Sequence, residues 1–313
     1  MEVRLAEHFG MCFGVKDALA LALEVARNEP VTVLGDLVHN DDVVAELEAA
    51  GAIRAHRPED VHTRSVVLTA HGTAQRIQLQ LRAEGLVTHD AVCPLVTRVH
   101  TAVTKLAAEN RHPVIVGQAG HVEVRGIVDD LRESTVVLHE NDLDQLTGKP
   151  RLGVVAQTTQ PIDHVHRLVA AMRRRFPRAD IRFIDTVCQP TKDRQQAMAR
   201  LAAECSVIVV VGGPDSNNSR KLTEVAIKRG CRAYQVANAS ELHDEWFTGL
   251  AVVGLTAGTS TPDHIIADVK ARLEAMPGAT LSFRRNDNDL DLEGSSRLAT
   301  AGRHAYNGTA EAG

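Results

Sequence analysis

One arrangement of residues occurs three times in this 313-residue chain, and it restricts the possible folds more than any total does. Cysteines stand in similar settings at "HFGMCFGV" (Cys12), "DAVCPLV" (Cys93) and "IDTVCQPT" (Cys188). Each follows a short extended stretch and precedes a helical pattern. An apolar strand comes next and ends in glycine and polar groups: "VTVLGDLVHN" to His39, "VIVGQAGHVEV" to His121 and Glu123, and "VIVVVGGPDSNNS" with Ser216. A second strand then ends in "TAHG" (His71), "AQTT" (Thr158) and "TAGTS" (Ser260). In all three sets the first interval is shorter than the second by a similar margin. Intervals running in parallel mark a repeated supersecondary unit rather than chance.

The repeated unit reads as α/β. Short Val-rich runs such as "PVIVG" and "SVIVVVGG" alternate with segments such as "DDVVAELEAAG" and "QQAMARLAAEC", whose apolar residues recur at helical spacing. Such alternation predicts βαβ units and parallel sheets. Apolar residues make up 44% of the chain and aromatics only 3%, so the cores must be built from Val, Leu, Ile and Ala. The expected architecture is three pseudo-threefold-related α/β domains with small parallel sheets around a central cleft. Their boundaries are set at the cysteines: residues 13–93, residues 94–188, and residues 1–12 together with 189–283. From residue 284 to 313 the chain is rich in Asn, Asp, Gly, Ser and Ala without a steady period, which reads as a disordered tail. Ligands of open α/β sheets bind beyond the carboxyl ends of the strands, so three facing units would bring their polar strand ends to one centre.

The totals exclude several classes. A net charge of −5 argues against a nucleic-acid binder, which would show a basic excess. No apolar run approaches a membrane span, and "MEVRLAEHFG" lacks the basic start and apolar middle of a signal peptide. A cytoplasmic location is expected. Five widely spaced cysteines do not form a secreted disulfide framework.

Taken singly, each cysteine reads as a small buried apolar residue, and that reading is kept for Cys205 and Cys231, which have no counterparts in the other units. Cys12, Cys93 and Cys188 differ because they recur. Thiolates suit zinc or iron–sulfur clusters. A structural zinc site has four ligands, often from paired C-x-x-C knuckles, and no such knuckle exists here. Three isolated thiols better fit a 4Fe-4S cluster with one iron left open to substrate. His39, His71 and His121 can donate to anionic oxygens. "DSNNS" (Ser216, Asn217, Asn218) and "TAGTSTPD" (Ser260) place hydroxyls and amides before helix starts, where anions bind. Ser216 and Ser260 also read as simple N-caps, and the two roles are compatible. Glu123, at an expected strand end beside His121, reads either as a surface carboxylate or as a proton donor near a reducible centre.

In combination "GMCFGV", "VHN", "TAHG", "CPLVTRVH", "GHVEVRG", "QTT", "DRQ", "SNNS" and "TAGTSTPD" resemble the 4-hydroxy-3-methylbut-2-enyl diphosphate reductase family, from about Met1 to Leu281. The resemblance implies reductive dehydroxylation of an allylic diphosphate in the non-mevalonate isoprenoid pathway. It implies one 4Fe-4S cluster per chain, held by Cys12, Cys93 and Cys188. His39, His71, Ser216, Asn218 and Ser260 would hold the diphosphate, with Asn217 beside them. His121 and Thr158 would line the substrate, and Glu123 would supply protons through Thr158 or a water. A ferredoxin or flavodoxin would deliver electrons in a transient complex. Met11, Val122, Pro190 and Asn217 depart from the commonest family pattern. Rival readings are a non-enzymatic iron–sulfur or zinc sensor, a phosphate-binding protein with structural cysteines, and another cluster-dependent hydro-lyase.

Overall fold

The computed structural model describes residues 2–250 and 252–276, and the backbone of residues 280–281. The tail expected from residue 284 lies outside the described residues. The strands are β1 (Glu2–Leu5), β2 (Val31–Leu34), β3 (Ile53–Ala55), β4 (Ser65–Leu68), β5 (Val87–Asp90), β6 (His112–Val116), β7 (Thr135–Val137), β8 (Arg151–Ala156), β9 (Asp180–Phe183), β10 (Val207–Val211), β11 (Arg232–Val236), β12 (Val252–Ala257) and β13 (Thr280–Leu281). The helices are α1 (Phe13–Asn28), α2 (Asp41–Ala49), α3 (Gln75–Ala83), α4 (Pro94–Ala108), α5 (Val122–Val128), α6 (Ile162–Arg175), α7 (Gln189–Glu204), α8 (Asn217–Lys228) and α9 (Asp263–Glu274).

The chain is α/β with three small parallel sheets. Two have four strands, in the orders β3-β2-β4-β5 and β7-β6-β8-β9. The third has five, β11-β10-β12-β1-β13. Apart from β13 the three orders are the same. The first strand of the chain closes the last sheet, with Val3 opposite Val253 and Leu5 opposite Leu255. In the three sheets the adjacent strands β2 and β4, β6 and β8, and β10 and β12 are buried along nearly all their length, because helices cover both faces.

The helices that follow the cysteines carry each cysteine into the next lobe. In α4, Val96, Val99, Val103 and Leu106 form one helical stripe. It packs against Ile115 and Val155 of the second sheet, not against the first sheet that precedes it. Burial of each such side chain stabilises the fold by roughly 1.5–3 kcal/mol. Likewise α1 packs through Ala18, Ala22 and Val25 on Val31 and Val33, and α7 through Met198 and Leu201 on Ile208 and Val210. Cys12, Cys93 and Cys188 therefore sit at the three passages between lobes. Cys205 and Cys231 lie in the apolar core beside α7 and α8.

Candidate active site

Each of the three recurring cysteines is the residue immediately before a helix, with extended backbone angles: φ −80° and ψ 165° at Cys12, φ −60° and ψ 130° at Cys93, φ −72° and ψ 148° at Cys188. Serine, threonine, aspartate and asparagine are the residues that favour this position, since their oxygens cap the helix. None of the three thiols makes a capping hydrogen bond. The backbones are anchored alike. The N–H groups of Cys12, Cys93 and Cys188 donate to the carbonyls of Thr259 (3.2 Å), Ala70 (3.2 Å) and Thr158 (3.0 Å). Those carbonyls belong to the loops that follow β12, β4 and β8, so the repeat of the sequence becomes a repeat of hydrogen bonds.

All twelve residues singled out in the sequence line one cleft of about 720 Å3 including its open mouth. Cys12, Cys93 and Cys188 share it with His39, His71, His121, Glu123, Thr158, Ser216, Asn217, Asn218 and Ser260. Val15, Val38, Ala70, Leu95 and Val96 supply apolar wall, and Phe13 lines it while half exposed.

The imidazoles form a cluster. The rings of His39 and His71 stack at 4.4 Å, and the ring of His121 meets them edge-on at 5.2 and 5.7 Å. Burial lowers the pKa of all three, that of His121 to about 4 and that of His71 well below the usual range. They are neutral at pH 7. Nδ1 of His121 accepts the Glu123 N–H at 3.2 Å, so the ring proton resides on Nε2. Nε2 of His39, Nε2 of His71 and Nδ2 of Asn218 are buried without a partner. Buried polar atoms are normally paired, so these three are suited to a polar ligand.

The structure differs from the sequence expectation at Glu123. It lies not at a strand end but in the first turn of α5, whose N-cap is His121. It is 1% exposed. Its Oε1 accepts the Thr158 N–H at 2.7 Å and its Oε2 the Thr158 hydroxyl at 2.9 Å. Burial raises its pKa to about 7, against the opposing effect of the two Thr158 bonds. Burial thus moves this acid toward the neutral range, where a proton donor works best.

Asn217 and Asn218 lie within the first turn of α8, not before the helix as "DSNNS" suggests. Ser216 is the N-cap, and its Oγ accepts from the Ser219 N–H (3.3 Å) and hydroxyl (2.9 Å), which leaves its own proton to donate. Asn217 is already engaged. Its Nδ2 donates to Thr159 at 2.9 Å, and its Oδ1 accepts from Arg220 at 3.2 Å. Its second amide N–H remains to donate into the cleft beside Asn218, whose Nδ2 has no partner among the described residues. The Ser260 hydroxyl donates to the His39 carbonyl at 3.3 Å.

Sequence reasoning missed several residues. The Cys188 thiol donates to the Thr191 hydroxyl at 3.0 Å, a contact that the three-residue spacing in "CQPT" could have signalled. Gly14 faces Cys93, and a Cβ there would lie 2.4 Å from its Sγ. Gly72 has φ +86°, and a Cβ would also meet Val96 at 2.9 Å, so the turn after His71 requires glycine.

The donor set bears on what the cleft can hold. Among the described residues no three His, Cys, Asp or Glu side chains are grouped closely enough for a single metal ion. The thiols nevertheless feel one another: Cys12 acts electrostatically on Cys93 and on Cys188. Three soft donors, one from each passage between sheets and all lining one cleft, fit a polynuclear iron–sulfur group. Burial raises the pKa of Cys93, and that of Cys188 to about 11. In the ligand-free protein desolvation thus outweighs the helix N-termini, which favour thiolates. A bound metal reverses this, because it deprotonates its thiol ligands outright.

The family model described as LytB protein matches residues 3–274. The 4-hydroxy-3-methylbut-2-enyl diphosphate reductase of Methylibium petroleiphilum is 40% identical over 281 residues, covering 88% of this chain and 85% of the relative. That of Acinetobacter baylyi is 39% identical over 285 residues, covering 88% and 90%. A solved E-1-hydroxy-2-methyl-but-2-enyl-4-diphosphate reductase from Plasmodium falciparum superposes with a TM-score of 0.83 at 27% identity, covering 91% of this chain and 93% of that one. A second solved (E)-4-hydroxy-3-methyl-but-2-enyl diphosphate reductase gives a TM-score of 0.64 at 35% identity, covering 87% and 99%. A threefold α/β frame, a cleft lined by one thiol from each passage, and a family match over nearly all the described residues lead to one conclusion: the chain belongs to the LytB protein family.

Proposed function

We infer that this chain is an oxidoreductase of isoprenoid biosynthesis that reductively dehydroxylates 4-hydroxy-3-methylbut-2-enyl diphosphate to isopentenyl and dimethylallyl diphosphate. One observation carries the reading. Three helix-start thiols converge on a cleft that also holds three clustered imidazoles and a buried carboxyl group bonded to Thr158. The reaction consumes two electrons and two protons, breaks a C–O bond and releases water. Cys12, Cys93 and Cys188 would hold one 4Fe-4S cluster per chain, which would supply electrons and Lewis acidity to the reaction. A sensor would have no use for Glu123 and the orphaned donors. The sheets support a division into lobes 13–93, 94–188 and 1–12 with 189–283.

The residues divide the work. His39, His71, Ser216 and Asn218 bind the diphosphate through N–H and O–H donors, and Ser260 joins them when its hydroxyl turns from the His39 carbonyl. Binding far from the reacting carbon orients it and excludes water. The apolar wall from Val15 to Val96 receives the hydrocarbon. Glu123 protonates the departing hydroxyl through the Thr158 Oγ, and His121 Nε2 donates beside it. A second proton reaches either end of the allyl unit, which accounts for two products. A ferredoxin or flavodoxin delivers the electrons in a transient complex. Among the described residues no helix is long and apolar enough to cross a membrane.

The test is anaerobic turnover of the allylic diphosphate with a reduced viologen dye, together with counts of iron and acid-labile sulfide. Iron with no turnover would refute the reductase, and a colourless protein would refute the cluster. Two further results are expected. His39→Ala removes an unpartnered donor and raises the dissociation constant of the diphosphate about tenfold, the loss of one hydrogen bond to a charged group of about 1.5 kcal/mol. Unaltered affinity in calorimetry would remove His39 from the pocket. Because Glu123 acts as the acid, log kcat/KM falls as pH rises through about 7, where its proton is lost. A flat profile to pH 9 would exclude that role.

A further inference from the structure

Arg194, in the "DRQ" segment, has no part in the chemistry above, yet among the described residues it is the one lysine or arginine that is buried. It is 6% exposed. Its Nη2 donates to the Gly10 carbonyl at 2.5 Å and its Nη1 to the Pro190 carbonyl at 3.0 Å. The guanidinium thus ties the turn that carries Cys12 to the first turn of the helix that carries Cys188. Its Nε is buried without an acceptor. It has no ion-pair partner among the described residues. The anion-forming groups that act on it are Cys12, Cys188 and Asp193. Asp193 is the lesser candidate, since its carboxylate accepts from Gln189 at 2.6 Å on the exposed side of the helix.

A guanidinium stays charged, and burying a charge without a counter-charge costs several kcal/mol. The cost is offset when the neighbouring thiols become ligands, since a 4Fe-4S core held by three thiolates is a net anion. Each added electron makes that anion more negative and strengthens its attraction to the cation. We propose that Arg194 is a positioning residue that clamps the Cys12 and Cys188 segments and supplies the fixed positive charge that raises the reduction potential of the cluster. This rests on the cluster assigned above.

The experiment compares the parent protein with Arg194→Gln and Arg194→Lys after anaerobic reconstitution. It measures iron and sulfide per chain and the midpoint potential in an EPR-monitored titration. Arg194→Gln, which keeps hydrogen-bond donors but loses the charge, is expected to hold the cluster with a reduction equilibrium about tenfold less favourable, a fall of about 59 mV for one electron. Arg194→Lys is expected to stay close to the parent potential. A Gln variant that loads iron at the parent potential would overturn the proposal. Should the Gln variant take up no iron, the Lys variant decides: loading supports the charge, and failure to load overturns it. A parent protein without iron would instead sink the cluster assignment itself.

Discussion

Cys93→Ser is expected to yield a folded protein that has lost the brown absorbance of its cluster, most of its iron and its turnover. Serine is among the best residues at a helix N-cap, worth about 0.5–2 kcal/mol over residues that cannot cap. Cys93 stands at that position without capping α4. The substitution therefore leaves the fold at least as stable while it replaces a soft ligand by a hard one that is reluctant to lose its proton. Unchanged melting with lost absorbance separates a ligand from a packing residue. The space around the sulfur points the same way, since Gly14 leaves room for it where any side chain would collide. Cys205→Ser provides the contrast. That thiol lies in the apolar core with Met198 and Ile208, and its substitution should lower stability without altering iron content. An unchanged visible spectrum in Cys93→Ser would exclude Cys93 as a ligand.

Glu123→Gln should keep the iron and the diphosphate affinity and lower kcat by roughly 100-fold or more, the usual contribution of a positioned general acid. Glutamine matches the volume of glutamate in a site that is 1% exposed. Its carbonyl can still accept the Thr158 N–H, and its amide can donate to the Thr158 hydroxyl in place of the present bond. The pocket therefore survives, and the proton does not. The descending limb of the pH profile above about 7 should vanish with it, because burial of this carboxyl group sets that limb. Near-parent turnover would refute the proton role. Thr158→Val should reproduce part of the loss, since it cuts the relay while leaving Glu123 in place.

How much of this was legible in the sequence depended on burial. The inner strands β2, β4, β6, β8, β10 and β12 show as continuous apolar runs because both of their faces are covered. The outer strands β5 and β9 are half exposed, and "VTHD" and "DIRF" carry no period that separates them from loop. They were recognised only as extended stretches before cysteines. The site residues are legible because they repeat, and each repeat places them beyond the carboxyl ends of inner strands. Glu123 was placed at a strand end because α5 has only seven residues, too few to show a helical period. Arg194 and Gly14 gave no signal of their own, since nothing local says that an arginine will be buried or a glycine will face a sulfur.

The order of chemistry along the chain, with one thiol and two polar strand ends in each third, is a property of sequence, because local patterns set where strands end and helices begin. Which thiol meets which lobe is not. That was decided when β1 paired with β12, when each helix after a cysteine packed on the following sheet, and when burial lowered the pKa of three imidazoles and raised that of one carboxyl group to about 7. Desolvation and approach between distant segments exist only in the folded chain, so the ionisation states on which the chemistry turns belong to the tertiary structure alone.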